Sequence, residues 1–315
     1  MTSYSHHPVA FVLSGGASLG AIQAGMLRAL YERGIAPDMI VGTSAGALNG
    51  AFIASRPQTV ETADALADVW RGLRRGEVFP INPLTGLLGF AGARAHLVPS
   101  SGLRRIIARN IDERAELLEE LPIPLHVVAV DVVTGEELRL SDGPTADAVL
   151  ASAAIPAVLS PVAFGGRDLM DGGVANNTPI SHAIELGAKK LYVLPAGHAC
   201  ALEAPPRGAL AMALHAISLL MHRRLVDDIE KHRDDAHLVV LPPPCPLAVQ
   251  PIDFSHADEL IERSLSDARE FLDRGGADRP PIRMRMHPHD QRTRKRARPA
   301  SPNTPVTARA RTVAR

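Results

Sequence analysis

Twice within its first 54 residues the chain passes from a short apolar run, through a glycine-bearing turn, into a helix. Val9-Ala10-Phe11-Val12-Leu13 is stopped by Ser14-Gly15-Gly16. Ala21–Arg33 then sets Ile22, Met26, Leu27 and Leu30 at helical spacing as far as Gly34. Met39-Ile40-Val41 is stopped by Gly42, and Ala45–Ala54 continues as a helix of small residues. Unbroken apolar runs of this length suit strands covered on both faces. The β-α-β-α order therefore argues for an α/β fold, a mostly parallel sheet clothed by helices.

The remainder of the chain extends this pattern. Residues 57–120 read as mostly helical, with a looser Gly/Pro-containing stretch from Gly76 to Gly102, and Leu125–Val130 reads as a strand. Pro161–Phe164, the Gly165-Gly166 pair and Asp168–Met170 make a β-hairpin. Leu191–Leu194 and Leu238–Leu241 are further apolar strands, and Ala257–Arg274 is an amphipathic helix closed by Gly275-Gly276. The apolar run Ala209–Met221 is interrupted by His215 and Ser218 and falls short of the ~20 residues that span a bilayer. It is expected against the core, with a lipid-facing wall or contact with a membrane as the other reading.

Apolar residues make up 46% of the chain and aromatics 3%, so the core must be aliphatic, and a disordered, collagen-like or disulfide-scaffold chain is excluded. Cys200 and Cys245 read as reduced thiols. Met1–Pro8 carries no positive flank and Val9–Leu13 is too short for a signal core, so a cytoplasmic location is expected. Charges balance at 34 basic and 34 acidic, but residues 281–315 hold ten basic side chains against one acidic. Periodicity also ends after Gly276. The expected division is a folded domain over 8–276 and a disordered Arg/Pro-rich basic tail over 277–315. Such a tail suits peripheral contact with an anionic membrane, while the lack of interleaved aromatics argues against a specific nucleic-acid partner.

Gly42-Thr43-Ser44-Ala45-Gly46 lies between an apolar strand and a helix, the context of a nucleophile elbow. Gly42 and Gly46 let strand and helix approach, and the helix N-terminus favours negative charge beside Ser44. Read alone, the pentapeptide is equally a tight turn with an exposed serine. A serine hydroxyl needs a base, and Asp171, at the end of a strand and before Gly172-Gly173, is the best placed; the other reading is a turn aspartate bonded to its own backbone. Ser14–Gly20 can converge backbone N–H groups on an anion. A dinucleotide phosphate is disfavoured because Ala17 interrupts G-x-G-x-x-G and no acid closes the second strand, which leaves an oxyanion.

Taken together, the Gly-rich loop, G-x-S-x-G, D-G-G and the small-residue segment Ala151–Val162 resemble the patatin-like phospholipase family over roughly Val9 to Leu194. The resemblance implies a three-layer α/β/α fold and a Ser–Asp dyad that cleaves lipid acyl esters. It matches Ser44 to the nucleophile, Asp171 to the proton acceptor, Gly15, Gly16 and Ala17 to the oxyanion loop, and Gly20, Gly172 and Gly173 to motif glycines. Ala17 stands where the family often has a third Gly, and Leu19 where it often has a basic residue. No metal or other cofactor is called for. A Ser-Asp-His hydrolase using His182, His198 or His215, an acyltransferase, and a non-catalytic lipid- or nucleotide-binding module are the alternatives.

Overall fold

A computed structural model describes residues 8–80, 97–111, 115–197, 208–245 and 249–279. Residues 280–315 of the basic tail, the central part of the looser stretch, His198 and Cys200 lie outside the described residues. The strands are β1 (Val9–Leu13), β2 (Met39–Thr43), β3 (Leu125–Asp131), β4 (Glu137–Leu140), β5 (Val162–Phe164), β6 (Arg167–Asp171), β7 (Lys190–Leu194) and β8 (His237–Val240). The helices are α1 (Ala21–Tyr31), α2 (Ala45–Ala54), α3 (Val60–Gly72), α4 (Arg75–Val78), α5 (Ser101–Asn110) and α6 (Thr145–Ser152). They continue with α7 (Gly173–Asn176), α8 (Ile180–Glu185), α9 (Ala209–His232) and α10 (Ala257–Asp273).

All eight strands among the described residues belong to one sheet, in which β3, β2, β1, β7 and β8 run parallel in that order. β4 and β6 pair antiparallel with β3, and β5 pairs antiparallel with β6. Alternation sends β1 side chains to both faces. Phe11 and Leu13 join the larger core with residues of α1, α2, α3, α5, α6 and α10. Ala10 and Val12 join the smaller one with Ile180 and Ala183 of α8 and Leu225 and Ile229 of α9. The fold is three-layered, α/β/α.

The registers on β3 fix where the sheet brings distant segments together. Val127 and Val128 pair with β2 and with β4, while Ala129 and Val130 pair with β4 and with β6. A strand has two edges. Since β4 holds one of them throughout, β2 and β6 share the other, end to end. Thr43 faces Val128 and Asp171 faces Ala129 on consecutive rungs of that shared edge.

Two sequence expectations change. The strand Glu137–Leu140 was not anticipated from its charged Glu-Leu-Arg-Leu composition. The apolar run from Ala209 opens a helix that continues to His232, and its first half does not simply face the core: Met212, Ile217 and Leu220 are exposed.

Candidate active site

Ser44 stands between the last residue of β2 and the first of α2 with φ 54° and ψ −118°, in the region that favours glycine. A non-glycine residue there costs about 1–3 kcal/mol and persists only where its surroundings hold it. The surroundings are specific. The Ser44 amide donates to Ser152 Oγ at 2.8 Å, and the Ser152 hydroxyl donates to the Val128 carbonyl at 2.5 Å. Thr43 Oγ1 donates to the Asn176 carbonyl at 2.9 Å. The turn also needs its two glycines: a Cβ on Gly42 would lie 2.6 Å from the Gly46 carbonyl oxygen, and one on Gly46 would lie 2.1 Å from that of Leu13.

On the neighbouring rung, Asp171 ends β6. Its Oδ2 accepts from Ser44 Oγ at 2.7 Å, and its Oδ1 accepts from the Gly173 amide at 2.7 Å. Both residues are buried. Burial pushes the Asp171 carboxyl up to about 6, against the opposing pull of the Ser44 hydroxyl and the Gly173 amide. A carboxylate held there is a stronger proton acceptor than an exposed aspartate and is still ionised at neutral pH. Ser44 and Asp171 bond directly, with no imidazole between them. His182 lies instead beside Glu137, with Nε2 2.7 Å from Oε1. A Cβ on Gly172 would meet the Val128 carbonyl oxygen at 2.2 Å, so this residue too is fixed by close approach to β3.

The loop after β1 runs alongside. Gln23 donates to the carbonyls of Ser14 and Leu194, and Asn49 donates to the Gly20 carbonyl and to Gln23 Oε1, so buried amides pin both ends of the loop. Gly20 itself packs against Trp70 and Ala45. The three loop residues differ in what their amides can do. Gly15 donates to the Asn177 carbonyl at 3.0 Å, and Asn177 Nδ2 returns a bond to the Gly15 carbonyl at 3.3 Å. Contrary to expectation, the Gly15 amide is thus committed. The amides of Gly16 and Ala17 have no acceptor among the described residues. Ala17 takes φ 50°, the conformation a glycine would adopt without strain.

Beside Ser44 opens a pocket whose lining includes Ala17, Leu48, Trp70, Leu103, Val149 and Phe254. Trp70 Nε1 donates to Asn49 Oδ1, and its ring stacks on Phe254, so it presents carbon to the cavity. Apart from Ser44 and Trp70, the lining residues carry apolar side chains. Sequence reasoning missed Ser152, which holds the Ser44 amide, and Asn177, which brackets Gly15. Ser152 lies within the Ala151–Val162 segment already singled out, but nothing in that run of small residues distinguishes it.

A family model described as patatin-like phospholipase matches residues 11–184. Mouse patatin-like phospholipase domain-containing protein 7 is 31% identical over 194 residues, covering 60% of this chain and 14% of that protein. An uncharacterized NTE family protein of Mycobacterium tuberculosis is 29% identical over 174 residues, covering 53% of this chain and 27% of that one. The chain therefore spans only a minor part of these relatives' length. Among solved structures, VipD from Legionella pneumophila is similar with a TM-score of 0.43 and 15% identity, covering 86% of this chain and 67% of that one.

Proposed function

Since the chain belongs to the patatin-like phospholipase family, we propose that residues 8–276 form a serine lipid acyl hydrolase acting through Ser44 and Asp171. The observation that carries this reading is the 2.7 Å bond from Ser44 Oγ to Asp171 Oδ2, made at a strained strand-to-helix turn beside an apolar cavity. Asp171 takes the hydroxyl proton as Ser44 Oγ attacks the ester carbonyl. The tetrahedral oxyanion is held by the amides of Gly16 and Ala17, with the N-terminus of α2 adding positive potential. Asp171 returns the proton to the departing alcohol, leaving an acyl-serine. Water, deprotonated by the same carboxylate, then releases the fatty acid and restores the hydroxyl.

The apolar lining of the pocket supports a reading of which end of the substrate enters. A charged or polar head group has nothing to bond within its apolar lining, whereas each methylene removed from water there gains about 0.8 kcal/mol. The acyl chain is the part that enters. The substrate class is a lipid or phospholipid ester, and the reaction belongs to lipid breakdown.

A fluorophosphonate probe, with the adduct mapped by mass spectrometry, tests this on the wild type, Ser44→Ala and Asp171→Asn. Labelling at Ser44 that drops sharply in Asp171→Asn is the expected result. Labelling elsewhere, or equal labelling of Ser44 in Asp171→Asn, would sink the dyad.

A further inference from the structure

The outward face of α9 changes character along its length. Met212, Ala216, Ile217, Leu220, Arg223, Arg224, Asp227 and Glu230 are exposed, at the spacing of one helical face. Leu225 and Ile229 point inward to the core. In the second half, this face carries the charges that water demands, with Arg223 paired to Asp227 and Arg233 to Glu230. In the first half it carries none: residues 208–221 contain no Asp, Glu, Lys or Arg. Met212, Ile217 and Leu220 are 47%, 46% and 71% exposed, a larger apolar showing than isolated surface residues account for.

The ridge is continuous with the site. Met221, the residue after Leu220, brings Cε to 3.1 Å from where a Cβ on Gly173 would stand, and the Gly173 amide is bonded to Asp171. Val174, the next residue, is 55% exposed. α7, which holds Gly173 and Val174, touches both β3 and α9. An apolar surface thus runs from the helix to the loop of the proposed base, and its charged border begins at Arg223. No described helix is long and apolar enough to cross a membrane. A helix whose exposed residues from Met212 to Leu220 are all apolar, and which is followed by basic residues, suits lying in the interface of a bilayer.

We propose that Met212, Ile217, Leu220 and Val174 dock the enzyme on a lipid bilayer, placing the mouth of the site against its substrate surface. This rests on the lipid hydrolase reading. Docking is by insertion of apolar side chains, so it holds on zwitterionic vesicles and persists at high salt, unlike attraction of a basic segment to anionic lipid.

The test compares the full-length wild type with Ile217→Ser/Leu220→Ser, and with Glu230→Ser as a control on the charged half of the same face. Sedimentation with phosphatidylcholine vesicles in high salt measures binding. A water-soluble short-chain ester measures chemistry apart from docking. The expected result is binding reduced about tenfold in the double variant, vesicle-lipid turnover reduced in step, and soluble-ester turnover unchanged. Glu230→Ser should behave as the wild type. Equal vesicle binding by wild type and double variant overturns the proposal. So does a wild type that fails to sediment, or one that forms a dimer by light scattering which the double variant abolishes, since the ridge would then be covered by a second copy. Absence of soluble-ester turnover in the wild type refutes the hydrolase reading instead, and vesicle binding still reports on the ridge.

Discussion

Replacing Asp171 by Asn should abolish turnover and make the protein more stable. In the folded chain, burial lifts the carboxyl from its ordinary 3.8 to about 6. At about 1.4 kcal/mol per pKa unit, ionising it in place costs roughly 3 kcal/mol. Asn carries no such cost. Its oxygen can still accept from the Gly173 amide, and its nitrogen can donate to Ser44 Oγ, the two groups Asp171 now meets. Its second N–H finds no acceptor, which subtracts roughly 1 kcal/mol. The net gain is about 2 kcal/mol at pH 8. For a domain of this size that is roughly 4–8 °C in Tm.

The sign follows from the raised folded-state pKa. The aspartic acid favours the folded state fully below its unfolded value near 3.8, and that contribution is lost as pH rises through about 6. The variant's advantage must therefore grow from pH 5 to pH 8 and disappear near pH 4. Thermal unfolding of both proteins across this range measures it. A variant less stable than wild type at pH 8, or a difference independent of pH, would refute the view that Asp171 is a costly buried base.

The same group sets the pH profile of activity: kcat/KM should rise with pH, with a midpoint near 6, because only the ionised carboxylate can accept the serine proton. A steady-state profile on a soluble ester checks this, and a midpoint near 4 would contradict it. Ala17→Gly should relieve the φ 50° strain, raise stability by about 0.5–1 kcal/mol and leave turnover intact. Chemical denaturation reads that change. Val149→Phe, on the cavity wall, should shift preference toward shorter acyl chains, each excluded methylene lowering kcat/KM about fourfold in a p-nitrophenyl ester series.

Strands buried on both faces announce themselves as continuous apolar runs, so β1, β2, β3, β7 and β8 were legible within two residues of their ends. The β5–β6 hairpin was legible from Gly165 and Gly166, both of which take positive φ. β4 was not, because half of its four residues are charged: Glu137 is satisfied by His182 and Asn176, and Arg139 by Glu185, partners the local sequence does not display. Ser44 and Asp171 were legible because a strained turn at the one and close approach to β3 beside the other demand glycines. Ser152 and Asn177 were not. They act on backbone groups 108 and 162 residues away in sequence, and many residue types with a hydroxyl or amide look alike until the sheet is assembled. The exposed half of α9 was legible only as one of two readings, core or lipid: apolar composition says that a helix avoids water, not whether protein or lipid shelters it.

The shared edge of β3 gives this fold an unusual relation to insertion and deletion. Ser44 and Asp171, the proposed nucleophile and base, are set side by side by counting rungs: Val128 for Thr43, the residue before Ser44, and Ala129 for Asp171. A side chain altered anywhere along that edge leaves the count intact. One residue gained or lost between those rungs moves Asp171 by about 3.3 Å and turns it to the opposite face of the sheet. Drift in composition along β3 can therefore be gradual, while drift in its length is all or none. Lineages of this fold should carry their insertions in the loops that leave the strand, and a library of single-residue indels across β3 should divide into active and dead members with few between.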